Sequence, residues 1–376
     1  VMSSLSDKLR AMKPLPQKPA RPAASSCMKV KETLPLAEVA LSSISRDTVT
    51  MMLGEDPKQS IAPRDLLFLD TETTGLSRGV GTLAFLCGTG YVQGEHFVVD
   101  QRLMRDYDEE PFVLQHVHDL LASFPVLVTF NGAAFDMPLL LNRFVMNRIK
   151  PPQSMPLHID LLHVARRVYK LRLQRCSLSR LESEVFGTIR DNDLPGAMVP
   201  ERFFRFLQTR EEALLTDILV HNRQDVLSMA RLLMELAALH EQPLIAQHHE
   251  EIYSLGRVFE KRGEGGRARQ CYRAVHNSHL GDLAAIRMAE TYRRDKNPAR
   301  AAAVYERLLA AGRATPQVYI ALSRLCEFRL KQPKRALEIA HKGMLYCIEC
   351  PAEESRRALA DLKHRYAWLL RKNGGM

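Results

Sequence analysis

The chain has 376 residues, 46% of them hydrophobic, and a formal net charge of +10. At about 100–200 residues per domain this predicts two or three units, long enough to bury a sizeable core. No apolar run approaches the ~18 residues a membrane span needs, and residues 1–10 lack the basic-then-apolar plan of a signal peptide. A soluble, cytoplasmic chain with no membrane partner is expected.

The charge is unevenly spread. Residues 61–240 carry 22 acidic and 19 basic residues, whereas residues 241–376 carry 25 basic and 15 acidic ones. The acidic middle suits cations, and the basic C-terminal part suits a polyanion such as nucleic acid. The seven cysteines are odd in number and scattered, which does not make a disulfide framework. Cys347 and Cys350 form one CxxC, but a structural zinc site needs a second pair, and none is present.

Residues 1–60 hold Pro14, Pro16, Pro19 and Pro22 among Lys, Arg, Ala and Ser, the composition of a poorly ordered tail. Residues 65–240 alternate strand and helix signals. A short apolar run over 66–69 predicts a buried strand ending at Asp70. Strands are expected over 82–91 and 96–103, joined by a turn at Gln93-Gly94. A helix follows over 109–123, then a strand over 126–130 that Asn131-Gly132 breaks. A helix over 135–147, a strand over 157–159 and a helix starting at Asp160 come next, and a long helix over 211–239 closes the segment. This order predicts an α/β unit, a mixed sheet covered by helices, over residues 61–240.

Strand signals are lost over 250–371. Residues 266–272, 299–305 and 333–339 look alike, and Ala268 recurs as Ala301 and Ala336, steps of 33 and 35 residues. Each follows an amphipathic stretch and a polar turn. A period near ~34 with helix–turn–helix units is the tetratricopeptide pattern, and this all-α part resembles that family.

Three short segments carry chemistry. In Asp70-Thr71-Glu72-Thr73-Thr74-Gly75-Leu76, residues 70 and 72 of a strand face the same side, so two carboxylates stand together and repel. A hard divalent cation with oxygen ligands offsets that repulsion. In Asn131-Gly132-Ala133-Ala134-Phe135-Asp136 a turn leads from strand to helix, and Asp136 supplies a third carboxylate. In His221-Asn222-Arg223-Gln224-Asp225, positions 221 and 225 share one helix face, which suits a general base beside a metal ligand.

Asp70, Glu72, Asp136 and Asp225 together resemble the four acidic positions of the DnaQ-like (DEDD) exonuclease superfamily, in the same order. Residues 157–167 and 193–196 resemble further signatures of its YprB-like branch of ribonuclease H-like domains. The resemblance covers about residues 65–240 and implies a ribonuclease H-like fold and a 3′–5′ exonuclease. It implies two Mg²⁺ or Mn²⁺ ions held by the four carboxylates, with His221 taking a proton from the attacking water. It also implies substrate contacts at Thr73, Gly75, Leu76, Asn131 and Phe135. Members with a histidine commonly place it five residues before the last Asp. Here the gap is four, the spacing usual where a tyrosine stands instead. Two other readings compete: a non-catalytic nucleic-acid or protein-binding scaffold built on the repeats, and a structure-specific endonuclease. A protein partner for the repeats belongs with the first of these.

Overall fold

The computed structural model describes residues 26–75, 81–190, 194–350 and 352–374. Six strands form one mixed sheet: β1 (Met28–Pro35), β2 (Leu66–Thr73), β3 (Ala84–Gln93), β4 (His96–Leu103), β5 (Val126–Thr129) and β6 (Leu157–Asp160), in the order β1-β4-β3-β2-β5-β6. The β1/β4, β4/β3 and β3/β2 pairs are antiparallel, and β2, β5 and β6 run parallel.

The parallel arrangement is what builds the site. The carboxyl ends of β2, β5 and β6 lie along one edge of the sheet. Residues 70–72, 131–136 and 160, distant in sequence, therefore emerge side by side. In open α/β sheets this edge is where ligands bind.

Fifteen helices surround and extend the sheet among the described residues. Those up to residue 241 are α1 (Leu36–Val39), α2 (Arg46–Leu53), α3 (Glu110–Ser123), α4 (Asp136–Met146), α5 (Leu161–Leu173), α6 (Leu178–Phe186), α7 (Val199–Thr209) and α8 (Ala213–Glu241). Seven more follow: α9 (His249–Lys261), α10 (Gly265–Ala274), α11 (Gly281–Arg294), α12 (Pro298–Ala310), α13 (Pro316–Phe328), α14 (Pro333–Glu349) and α15 (Glu353–Gly374).

Strand β2 explains the apolar run. It is covered on both faces, so it is apolar at successive positions instead of alternating. Leu66 and Phe68 join the core under α5 and α8, while Leu67 and Leu69 join the core formed with α3, α4 and α7. In the second core the Phe85 and Phe203 rings stack with centroids 3.9 Å apart.

The expected tail is corrected in part. Residues 28–35 form the edge strand β1, paired with β4 from Met28↔Leu103 to Pro35↔His96. Its exposed positions are Lys29, Lys31, Thr33 and Pro35 and its other face is only half-buried, so the strand carries little apolar signal, and its ladder of backbone hydrogen bonds holds it instead. Arg223 of α8 reaches across to Glu32, with Nη2 donating at 2.7 Å. Residues 46–53, also within the expected tail, form α2, capped by Ser45, which accepts from the Thr48 amide.

The C-terminal helices follow one another as packed neighbours. Ala268, Ala301 and Ala336 lie fully buried in α10, α12 and α14, so the recurring alanine marks a close helix contact. The first of these helices share the sheet's own core: Leu255 and Phe259 of α9 belong to the same cluster as Phe68 and Val128. The boundary expected near residue 240 is therefore not a break in the hydrophobic core.

Candidate active site

Side-chain parity on β2 directs the first two carboxylates. Residues 66, 68, 70 and 72 share one face. Helix α8 covers that face, and Asp70 and Glu72 consequently meet its side chains. Asn222 of α8 donates through Nδ2 to the Asp70 carboxylate at 2.8 Å. Its Oδ1 accepts from Gln101 Nε2 at 2.8 Å, which fixes the amide orientation, and Gln101 also donates to the Leu219 carbonyl at 2.9 Å. The Asn222 side chain lies over Gly88, the residue paired with Asp70 across the β2/β3 ladder. A Cβ at Gly88 would fall 1.9 Å from Asn222 Oδ1, so only glycine admits the contact.

Burial and the repulsion of Asp225, Glu72 and Asp136, in that order, push the Asp70 carboxyl well above the ordinary carboxylate range. Asn222 opposes the rise.

Thr71 points to the other side of β2. Its hydroxyl donates to Asp136, the first residue of α4. Burial pushes Asp136 up to about 6; the Thr71 hydroxyl and the residue's own backbone amide oppose the rise, and the negative charge of Asp160 adds to it.

His221 lies between two carboxylates. Its Nε2 is 3.7 Å from Glu72 Oε1 and 3.9 Å from Asp225 Oδ2. Arg190 approaches from behind, with Nη1 3.4 Å from His221 Nδ1. Guanidinium only donates, so this contact puts the proton of a neutral His221 ring on Nε2, facing the carboxylates. Arg190 also donates to both oxygens of Glu182 at 2.6 Å, and its Nη2 donates to Asp225 as well. Burial raises the Asp225 carboxyl, and the charge of Arg190 beside it opposes the rise.

Asp160 does structural work. It caps α5 through the Leu162 amide and accepts from the amides of Asn131 at 2.8 Å and Ala133 at 3.1 Å. It thus pins the turn that launches Asp136. Asn131 is exposed and left-handed, with φ +68°, and Phe135 is half-buried just before α4. Thr73 is buried and donates to the Gly75 carbonyl at 2.9 Å, closing the turn after β2. Leu76 lies outside the described residues, as does Asp193 of the 193–196 segment.

Sequence reasoning missed Asn222, Thr71, Glu182 and Arg190. Asn222 left one trace: a polar side chain beside Asp225 in a helix that must bury most of its circumference. Nothing local marks Arg190. Among the described residues, no three His, Cys, Asp or Glu side chains converge closely enough to enclose an ion.

A mixed sheet with antiparallel and parallel halves, helices on both faces and carboxylates at the carboxyl ends of its parallel strands defines a ribonuclease H-like domain. Residues 67–237 match the family described as RNase_H superfamily. The uncharacterized protein YprB of Bacillus subtilis (strain 168) is 30% identical over 314 residues, a match covering 81% of this chain and 75% of that protein. The chain belongs to the YprB family within the RNase_H superfamily. Among solved structures, the family B DNA polymerase of the hyperthermophilic archaeon Pyrobaculum calidifontis is similar at a TM-score of 0.36 and 17% identity, over 52% of this chain and 29% of the polymerase chain.

Proposed function

We propose that the chain is a metal-dependent nuclease of DEDD type that shortens single-stranded nucleic acid from its 3′ end. The observation that carries this reading is the electrostatics of Asp70. Its charge is opposed by burial and by three further carboxylates, Asp225, Glu72 and Asp136, gathered from β2, α4 and α8. Such an arrangement is costly unless it serves a positive charge.

An all-carboxylate donor set suits Mg²⁺ or Mn²⁺ rather than a thiophilic metal, and Asp70, Glu72, Asp136 and Asp225 would hold it after drawing closer together than they stand in this structure. When bound, such ions make water a better nucleophile and stabilise the departing oxygen. The chain's own groups do the rest. Asn222 keeps the Asp70 carboxylate aimed into the site, and Thr71 does the same for Asp136. His221 takes the proton of the attacking water, whose oxygen bonds to phosphorus. The bond from phosphorus to the 3′ oxygen breaks, and the electron pair leaves with that oxygen. A nucleoside 5′-monophosphate and a shortened strand result. For His221 to accept a proton, Arg190 must first give up its contact with Nδ1. Thr73, Gly75, Leu76, Asn131 and Phe135 line the terminal nucleotide in this reading, and helices α9–α15 act as tetratricopeptide-like repeats.

A second reading is favoured by the Arg190–Asp225 pair and by the open spacing of the carboxylates: a non-catalytic binder of nucleic-acid ends. One assay separates the two. Single-stranded DNA and RNA labelled at either end are incubated with Mn²⁺ or Mg²⁺, alongside Asp70→Ala and Asp225→Ala. A ladder that shortens from the 3′ end and disappears in both variants is expected. Folded protein that takes up Mn²⁺ yet cleaves no substrate would overturn the nuclease.

A further inference from the structure

The alternate helices α9, α11, α13 and α15 each turn one face toward a run of three cavities. The first, of about 510 Å³, lies between α5, α9 and α11 and includes Arg257 and Arg294. The second, of about 750 Å³, lies between α11 and α13 and shares Arg294 with the first. The third, of about 240 Å³, lies between α13 and α15 and shares Arg324 with the second. Shared walls make one groove of the three.

Its chemistry is strongly one-sided. Ten Lys and Arg side chains line it, against the three carboxylates of Glu260, Glu290 and Asp361. Two of those acids are already engaged. Glu260 accepts from Tyr272 at 2.7 Å and from Arg287, and pairs with Arg294 at 2.9 Å. Glu290 accepts from Tyr305 at 2.6 Å and from Arg293 at 2.7 Å. The Arg257 and Arg324 side chains, by contrast, have no hydrogen bond or ion pair to another described residue. At one end, Arg167 buries an Nε with no hydrogen-bond partner. Burial and then the like charge of Arg262 hold this guanidinium below its usual range. A cation kept desolvated beside another cation is relieved by an anion.

Aromatic faces alternate with these charges. Phe328 and Trp368 are half exposed on the groove. The Arg365 guanidinium lies 5.6 Å from the Phe328 ring centroid, and the Trp368 indole nitrogen donates to Glu327 at 3.3 Å. Guanidinium groups fit phosphates in a planar fork, and aromatic faces stack unpaired bases. An acidic peptide would use the charges but not the rings, and a duplex keeps its bases out of reach.

We infer that this groove along α9, α11, α13 and α15 binds a single-stranded nucleic acid. The inference rests on the reading that the chain acts on nucleic acid, and it assigns the helical region the task of holding the strand. Arginines bind phosphates along the groove, while Phe328 and Trp368 stack bases. DNA and RNA share these features.

The test is fluorescence anisotropy with the full chain in EDTA, so that cleavage plays no part. The probes are 20-nucleotide single-stranded DNA and RNA, with the DNA duplex and polyglutamate as competitors. Arg257→Ala/Arg324→Ala should bind either strand about tenfold more weakly, and its log–log salt slope should fall by about 1.4, at ~0.7 for each phosphate no longer neutralised. Phe328→Ala should weaken binding about fivefold or more with the slope unchanged. Lys334→Ala/Lys342→Ala, which removes two exposed charges elsewhere on the repeats, should change affinity less than about twofold. Equal losses in the two double variants, equal displacement by duplex or polyglutamate, or no binding by the wild-type chain would each overturn the groove. If the groove variants behave as expected while Mn²⁺ supports no cleavage, the groove stands and the nuclease falls. Cleavage by a chain whose binding ignores Arg257, Arg324 and Phe328 would give the reverse.

Discussion

The Arg190 guanidinium holds Asp225 on one side and Glu182 on the other, and it reaches His221 from the same position. A cation ligated by Asp225 therefore competes with a side chain already there. Glu182 is 1% exposed and, apart from Arg190, accepts from Ser228. Arg190→Ala should thus have two opposite effects. The protein should lose about 3 kcal/mol of stability, because a buried carboxylate is left without its bidentate partner. Its affinity for Mn²⁺, measured by calorimetry, should rise. Unchanged affinity would mean that Arg190 and the metal do not compete for Asp225.

Asp70→Asn removes one of the four carboxylates and keeps the side-chain volume. In EDTA at pH 7.5 its melting temperature should rise by about 2–4 °C, the response of a domain of this size to roughly 1 kcal/mol. On the proposed reading Mn²⁺ binding stabilises the wild type, and that stabilisation should shrink in the variant. A lower melting temperature in EDTA would show that the Asp70 carboxylate is a net stabilising group.

Gly88 and Asn222 should be energetically coupled. Gly88→Ala forces the Asn222 amide away from Asp70 and should cost about 2–3 kcal/mol. Asn222→Ala alone should cost about 2 kcal/mol by breaking its bonds to Asp70 and Gln101. The double variant should cost less than the sum by about 1 kcal/mol or more, since the clash is then gone. Urea denaturation of the three variants measures this, and simple additivity would remove the contact as the reason for glycine.

His240 predicts an acid sensitivity unconnected with the site. It is fully buried in α8, with Nδ1 donating to the Leu236 carbonyl at 2.7 Å and Nε2 without a partner. Burial lowers its pKa to about 4. The unfolded chain, near 6.5, takes up this proton first as the pH falls. The stabilisation is complete above pH ~6.5 and is lost between there and pH ~4, up to about 3 kcal/mol. His240→Leu should flatten that part of the stability–pH curve. If the slope between pH 6.5 and 4.5 persists in the variant, it belongs to other groups.

Much of the nuclease-like region was legible because local rules govern it. The run at 66–69, the break at Asn131-Gly132 and the spacing of His221 and Asp225 each follow from a period of 2 or 3.6 residues. Strand β1 escaped notice for a physical reason. An edge strand whose exposed face is Lys29, Lys31, Thr33 and Pro35 takes its stability from ladder hydrogen bonds to β4, which composition does not display. Arg190 was invisible for another: it lies thirty-five residues from Asp225, and only the packing of α6 against α8 brings its support, Glu182, into range.

The sequence by itself determined which residues carry charge, where the strands and helices alternate, and that Asp70 and Glu72 must face the same way. It also set Ala268, Ala301 and Ala336 at steps of 33 and 35 residues, each a buried position of a C-terminal helix. Tertiary structure alone decided what those carboxylates face. The parallel pairing of β2, β5 and β6 brings the segments from 70, 131 and 160 to one edge, and α8 lays Asn222, His221 and Asp225 over it. It also decided that the basic residues of alternate helices line one groove. Periodicity constrains a residue relative to its own helix or strand, whereas the neighbours of that element are chosen by long-range burial, and charge interactions act over the distances that burial sets.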